Sequence, residues 1–267
     1  MELNRKNYFS SEMEKKYLGS TSFKAWDKYS NFGCEAREVA KRKGEWTDKV
    51  NSAFLLGNYL HSWSSGDLQE FISNTPELFK KDGTLLKQYA LGDTMINVFK
   101  NDPAMVQMRE GEKEQIFTGE ISGVPFKIQV DILNIGKGYF ADIKTTKNMY
   151  EKYWNAETRE RETFIQKYDY PLQFSIYVEI LRQNLNMDKH LDCYILAVDK
   201  QEIPDHEIIY MDVDGFIKEK LEEIKFKLPH IMAVRNGEIE PERCEKCDYC
   251  RQTKKIIKPI HWLDLGE

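Results

Sequence analysis

VPFKIQVDILNIGKGYFADIKTT, residues 124–146, decides the fold of this 267-residue chain. Phe126, Ile128 and Val130 alternate with Lys127, Gln129 and Asp131, which is the period of a strand with one apolar face. A glycine-containing turn follows. A second run then places Phe140, Asp142 and Lys144 on one face and Ala141 and Ile143 on the other. With 114–122 as a preceding strand, the runs 114–122, 124–133 and 139–145 predict an antiparallel meander.

Ten residues separate Asp131 from Asp142-Ile143-Lys144. Two strand-borne carboxylates can hold a hard cation against a scissile phosphate and prepare a water for attack. Lys144 can orient that water and offset charge growing on the phosphoryl oxygens. Taken alone, an Asp-x-Lys unit is common and reads first as the exposed face of a solvated hairpin. Its placement, after a carboxylate-bearing strand and a glycine turn, raises the catalytic reading.

Helices are expected on the N-terminal side, over 22–31, 35–43 and 48–63. In the last, Val50, Ala53, Phe54, Gly57, Leu60 and His61 follow a helical period, and Thr47 or Asp48 can cap the start. A further helix over 85–100 should stop at Asn101-Asp102-Pro103, where proline removes a donor. Beyond the meander the charged stretch 157–167 has no clear period. Residues 171–182 read as a helix, 191–198 as a buried strand, 207–212 as its neighbour, and 214 to 228 as a helix. Helices interleaved with strands give an α/β domain over 1–242, followed by a cysteine-containing extension over 243–267.

The composition, 41% hydrophobic and 31% charged with 14 Tyr and 14 Phe, is that of an ordered soluble protein. No apolar run approaches bilayer length and the first 30 residues lack a signal-peptide core, so a cytoplasmic location with no membrane partner is expected. A formal charge of -5 offers no global attraction for nucleic acid, so any binding needs a local basic cleft. Lys144 and Lys147 can contribute to one. Lys254, Lys255 and Lys258 can extend it, with Trp154 or Trp262 for stacking, although solvated charge and ordinary packing explain each of these individually.

Of the five cysteines, Cys193 sits among apolar residues as a core side chain, whereas Cys244, Cys247 and Cys250 form a compact cluster. Thiolates so spaced favour Zn²⁺ or an Fe-S cluster, with Cys34 as a candidate fourth ligand, and reduced structural cysteines are an equal alternative.

Gly57-Asn58-Tyr59-Leu60-His61, Val130-Asp131, Ala141-Asp142-Ile143-Lys144-Thr145-Thr146 and Gln173-Phe174-Ser175-Ile176-Tyr177 stand in an order that resembles the PD-(D/E)XK nuclease superfamily. The likeness is to the phage and bacterial group similar to exodeoxyribonuclease VIII and the RecB nuclease domain, with Val130 where the family label has proline. The resemblance implies a restriction-endonuclease-like central mixed sheet flanked by helices. It implies Mg²⁺ or Mn²⁺ held by Asp131, Asp142, His61 and the backbone carbonyl of Ile143, with Lys144 catalytic. Without it, His61 would read as an ordinary helix-packing residue. Gln173 and Tyr177, one helical turn apart, are implied to position phosphate, DNA end or water, and otherwise read as surface and core residues. Glu120 is a further, second-tier ligand candidate. Related nucleases clamp an Fe-S cluster with one early and three late cysteines, as Cys34 and the tail would.

The resemblance further implies exonucleolytic cutting of linear double-stranded DNA in recombination or phage DNA processing, with a single-strand annealing partner and assembly into a homo-oligomer. A structure-specific endonuclease and a noncatalytic DNA-binding or assembly protein are the competing readings. A redox enzyme lacks a nucleotide-cofactor fingerprint.

Overall fold

The computed structural model describes residues 2–49, 52–82, 84–156, 158–187, 189–259 and 261–264. Two compact units make up the chain: Met1–Ser20 with Lys49–Phe226, and Thr21–Asp48 with Lys227–Glu267. The division at 226/227 falls inside the Ile217–Asn236 helix, close to Pro229. The sequence boundary at 242/243 follows a change in chemistry, whereas compactness groups the cysteine tail with residues 21–48.

The first unit is built on five strands: β1 (Glu112–Ile121), β2 (Val124–Asn134), β3 (Tyr139–Thr146), and, after a small hairpin of β4 (Tyr153–Asn155) and β5 (Glu160–Glu162), β6 (Asp192–Asp199) and β7 (His206–Met211). Their order in the sheet is β1-β2-β3-β6-β7. β3 and β6 are parallel and the other neighbours antiparallel, so the sheet is mixed, as expected for a restriction-endonuclease-like fold. Parallel pairing requires a crossover, which the Tyr170–Leu185 helix supplies. Asp169 caps that helix by accepting from the Leu172 N–H at 3.3 Å, Pro171 suits its first turn, and Asn186 ends it in the left-handed conformation.

The β1–β2 hairpin turns on Ser122 and Gly123, whose φ of 51° and 75° match the type I′ geometry that follows strand twist. The stretch without a clear period resolves into β5 and the short Phe164–Lys167 helix, closed by a Thr163/Gln166 capping box. Residues 50 and 51 lie outside the described residues. The Asp48 carboxylate is engaged by Trp46 at 2.9 Å and Lys41 at 2.9 Å.

The meander is present, but it is no solvated hairpin. Phe140, Ala141, Asp142 and Ile143 are all buried, so both faces of β3 are covered. On one face Ile132, Ala141 and Ile143 pack with Leu56, Leu60 and Phe99 from the Ser52–Ser65 and Lys87–Asn101 helices. On the other, Phe140 stacks on Phe174 of the Tyr170–Leu185 helix at 5.5 Å between centroids. Lys127, which the alternation would turn to water, is 1% exposed. Leu18 bonds to β2 through Pro125 and Lys127, and the Lys127 ammonium meets Glu14 at 2.6 Å and the Tyr8 carbonyl. No helix among the described residues is long and apolar enough to cross a membrane.

Phe140 is fully enclosed and Phe226 is 84% exposed, which separates their expected contributions. Phe140→Ala should lower unfolding free energy by about 3–5 kcal/mol, read from the denaturant midpoint. Phe226→Ala should shift it by less than about 0.5 kcal/mol.

Candidate metal centre

The β2–β3 ladder runs Asn134↔Tyr139, Leu133↔Phe140, Ile132↔Ala141 and then ends. Asp131 and Asp142 are the first residues past its end. Had it continued, Ile143 would face Val130; instead its N–H donates to the Asp131 carboxylate at 2.7 Å. In an extended strand a residue's carbonyl lies on the same edge as its N–H. The Ile143 carbonyl therefore faces the gap between the strands.

β1 is interrupted at the same level. Its pairing passes from Lys113↔Ile132 to Gln115↔Val130, omitting Glu114, whose φ of 53° is left-handed. An L-residue held there costs about 1–2 kcal/mol, a strain commonly found at functional sites. The displaced Glu114 side chain is held by the Gln129 amide at 2.6 Å. From the Ser52–Ser65 helix, His61 brings Nδ1 to 3.3 Å from Asp131 Oδ2. One ligand atom each from His61, Glu114 and Asp131 lie within 4.8 Å of one another.

Asp142 stands beside this trio. Lys144 Nζ is 2.5 Å from its Oδ2, and Gln173 Nε2 donates to its Oδ1 at 2.6 Å. The Lys144 ammonium also lies 4.9 Å from the Tyr170 ring centroid, where the aromatic face attracts a cation. Tyr177, one turn beyond Gln173, donates its hydroxyl to the Gln129 carbonyl at 2.9 Å. That bond fixes the Tyr170–Leu185 helix to β2.

Burial works against a charged imidazole at His61, but the charge and hydrogen bond of Asp131 outweigh it and raise the ring's pKa to about 9. Burial alone would raise Asp131, yet His61, Lys144 and the Ile143 N–H hold it below the usual carboxylate range. Burial, and then the charge of Asp131, push Glu114 up to about 7. Asp142 is also raised by burial, against the pull of Lys144. Near neutral pH the raised value favours a proton on His61.

The donors suit a hard divalent cation. Carboxylates, a carbonyl and an imidazole are the groups that Mg²⁺ and Mn²⁺ accept. The buried Asp142 Oδ2 meets the Lys144 ammonium at 2.5 Å, and the second lone pair of a carboxylate oxygen leaves an acceptor direction for a metal. The structure places His61 and the Ile143 N–H at Asp131, with Glu114 in the same group, and Lys144 and Gln173 at neighbouring Asp142. Tyr177 is near, but its hydroxyl is taken by backbone.

Glu120 is not part of this centre. It pairs with Pro125 near the hairpin turn, at the other end of β1, is exposed, and has its backbone bonded to Gln183. The β1 carboxylate that the structure places here is Glu114, which sequence reasoning missed because a left-handed glutamate within a strand leaves no trace in residue pattern. Lys147 and Trp154 are exposed near the end of β3 and on β4. Lys254, Lys255, Lys258 and Trp262 are exposed in the second unit. Cys193 is fully buried in β6.

Residues 19–253 match the model of a PDDEXK-like domain of unknown function, DUF3799. The crystal structure of a "Putative exonuclease" from Eubacterium rectale is 31% identical, with a TM-score of 0.91 over 100% of this chain and 98% of that one. SSO0001 aligns at 13% identity and a TM-score of 0.30 over 81% of this chain and 91% of that one, too little to bear on the fold. None of the curated proteins matches. Together the matching domain and the whole-chain neighbour support a nuclease.

An NMR titration of the metal-free protein should find the His61 ring titrating near pH 9. In Asp131→Asn it should fall to about 6.5 or lower, because burial then meets less opposition. The pairing stabilises the fold below the unfolded imidazole value of about 6.5, and this contribution is lost as pH rises through the folded value. Because a cation must displace that proton, Mn²⁺ affinity measured by calorimetry should rise from pH 7 toward 9 with proton release. Glu114→Gln should weaken Mn²⁺ binding at least about tenfold. Glu120→Gln should leave it unchanged.

Proposed function

The chain belongs to the family of PDDEXK-like domains designated DUF3799, and from that membership we propose a divalent-cation-dependent exodeoxyribonuclease acting from the ends of linear double-stranded DNA. The observation that carries the reading is the convergence of His61, Glu114 and Asp131 beside the buried Asp142–Lys144 pair. Bound Mg²⁺ or Mn²⁺ would polarise the scissile phosphate and lower the pKa of the attacking water. His61, Asp131 and Asp142 would hold the cation, with Glu114 and the Ile143 carbonyl as further donors.

Lys144 supplies an ammonium where negative charge develops on the phosphoryl oxygens, and a fixed charge there stabilises the transition state more than the ground state. Burial would lower its pKa, but Asp142 outweighs burial and keeps the side chain protonated. Gln173 holds Asp142 Oδ1 and so sets the direction of Oδ2. Tyr177 keeps the helix bearing Gln173 in register with β2. Exposed Lys147 and Trp154 are available to a phosphate backbone and to an unpaired base.

The choice of an exonuclease is supported by the order of the motifs and by the designation of the neighbour that spans the whole chain. Recombination or phage DNA processing, a single-strand annealing partner and a homo-oligomeric assembly extend the same proposal.

Linear and covalently closed double-stranded DNA, each incubated with Mg²⁺, Mn²⁺ or chelator, provide the test. Only the linear form should be degraded, and only with metal. Asp142→Asn and Lys144→Ala should each lose at least about a hundredfold in rate. Gln173→Ala should lose about ten- to a hundredfold. Cutting of closed DNA would make the protein an endonuclease, and DNA binding without hydrolysis an assembly protein. Undiminished activity in both Asp142→Asn and Lys144→Ala would reject the residue assignment.

A further inference from the structure

The second unit carries a separate cluster. Cys34, Cys244, Cys247 and Cys250 bring four sulfur atoms within 4.8 Å of one another. Cys34 and Cys250 are 3.6 Å apart, and Cys244 and Cys250 3.9 Å. None is in a disulfide, whose sulfurs would be about 2.05 Å apart.

We propose that these four cysteines bind one tetrahedral zinc ion, and not an iron-sulfur cluster. The spacing of the sulfurs carries the choice. Four thiolates about 2.3 Å from a single tetrahedral ion stand about 3.8 Å from one another. In a four-iron cluster, iron and sulfide lie between the cysteines and hold their sulfurs about 6 Å apart. A two-iron cluster separates its two cysteine pairs by a similar distance, whereas all four sulfurs here fit around one ion.

The surrounding backbone is arranged for thiolates. The Cys247 N–H donates to Cys244 Sγ at 3.3 Å, and the Cys250 N–H to Cys247 Sγ at 3.5 Å. Such bonds delocalise sulfur charge and fix ligand direction. Cys34 comes from a distant part of the chain and is held by its neighbours. Buried Glu35 accepts from the Glu242 N–H at 2.8 Å and lies 2.6 Å from His230 Nε2, while the Ala36 N–H donates to the Glu242 carbonyl at 3.0 Å.

Among the described residues, buried Ala36 packs with Cys34 and Cys250, and Tyr249 lies against them. Zinc there would tie residues 21–48 to the chain after 227, whatever reaction the other unit performs.

The test is metal and sulfide analysis of the full chain, produced with both iron and zinc supplied and kept anaerobic throughout. The expected result is about one zinc per chain, no acid-labile sulfide and no visible absorption. Replacement by Co²⁺ should give thiolate-to-cobalt charge transfer and the intense d–d bands of a tetrahedral site. Cys247→Ser should lose the zinc, and the wild-type analysis decides the matter even if that variant fails to fold. Iron with stoichiometric sulfide overturns the proposal, as does a metal-free wild type with all thiols titratable. Both readouts are independent of nuclease activity.

Discussion

Negative charge buried beside negative charge is the constraint around which the first unit is arranged. Glu114, Asp131 and Asp142 come from three successive strands of one sheet, and their repulsion in a weakly screened interior must be balanced. Lys144 beside Asp142 and His61 beside Asp131 provide that balance. The two strand pairings give way at the same level, through the end of the β2–β3 ladder and the left-handed Glu114, and these interruptions let the side chains converge. A continuous ladder would pair the backbone completely but leave no room for a cation among the carboxylates.

The placement of side chains was legible where it coincided with periodicity. The alternation around Asp131 and the Phe140-Asp142-Lys144 face establish which residues meet, and helical spacing brings Gln173 to the same side as Tyr177. His61 could be placed only through resemblance, because a histidine on an amphipathic helix has no distinguishing pattern of its own. What periodicity cannot carry is a departure from periodicity. Glu114 and Glu120 occupy the same strand and even the same parity, so both would point alike in a regular strand. The positive φ at Glu114 breaks that equivalence. Similarly, the alternation of β2 left Lys127 facing water, and the covering segment that buries it comes from residues more than a hundred positions earlier.

Grouping of the chain into compact units shows another limit of local reading. The change in composition at Arg243 marks cysteine chemistry, but the partner of that tail is the segment containing Cys34, which reads locally as a plain amphipathic helix start. Long-range partnership of this kind is recorded in the burial of Glu35 and its bonds to residues 230 and 242.

The left-handed glutamate has a consequence for how this protein would respond to selection. Glycine at 114 would relieve backbone strain, since it adopts positive φ without steric penalty. It would also remove a half-buried acid from a crowd of carboxylates. A search for greater thermal robustness alone would thus be drawn to this codon and would erode the centre it serves. Fold maintenance and chemistry pull in opposite directions at one residue, the trade-off expected where a strained active-site geometry is retained for its use.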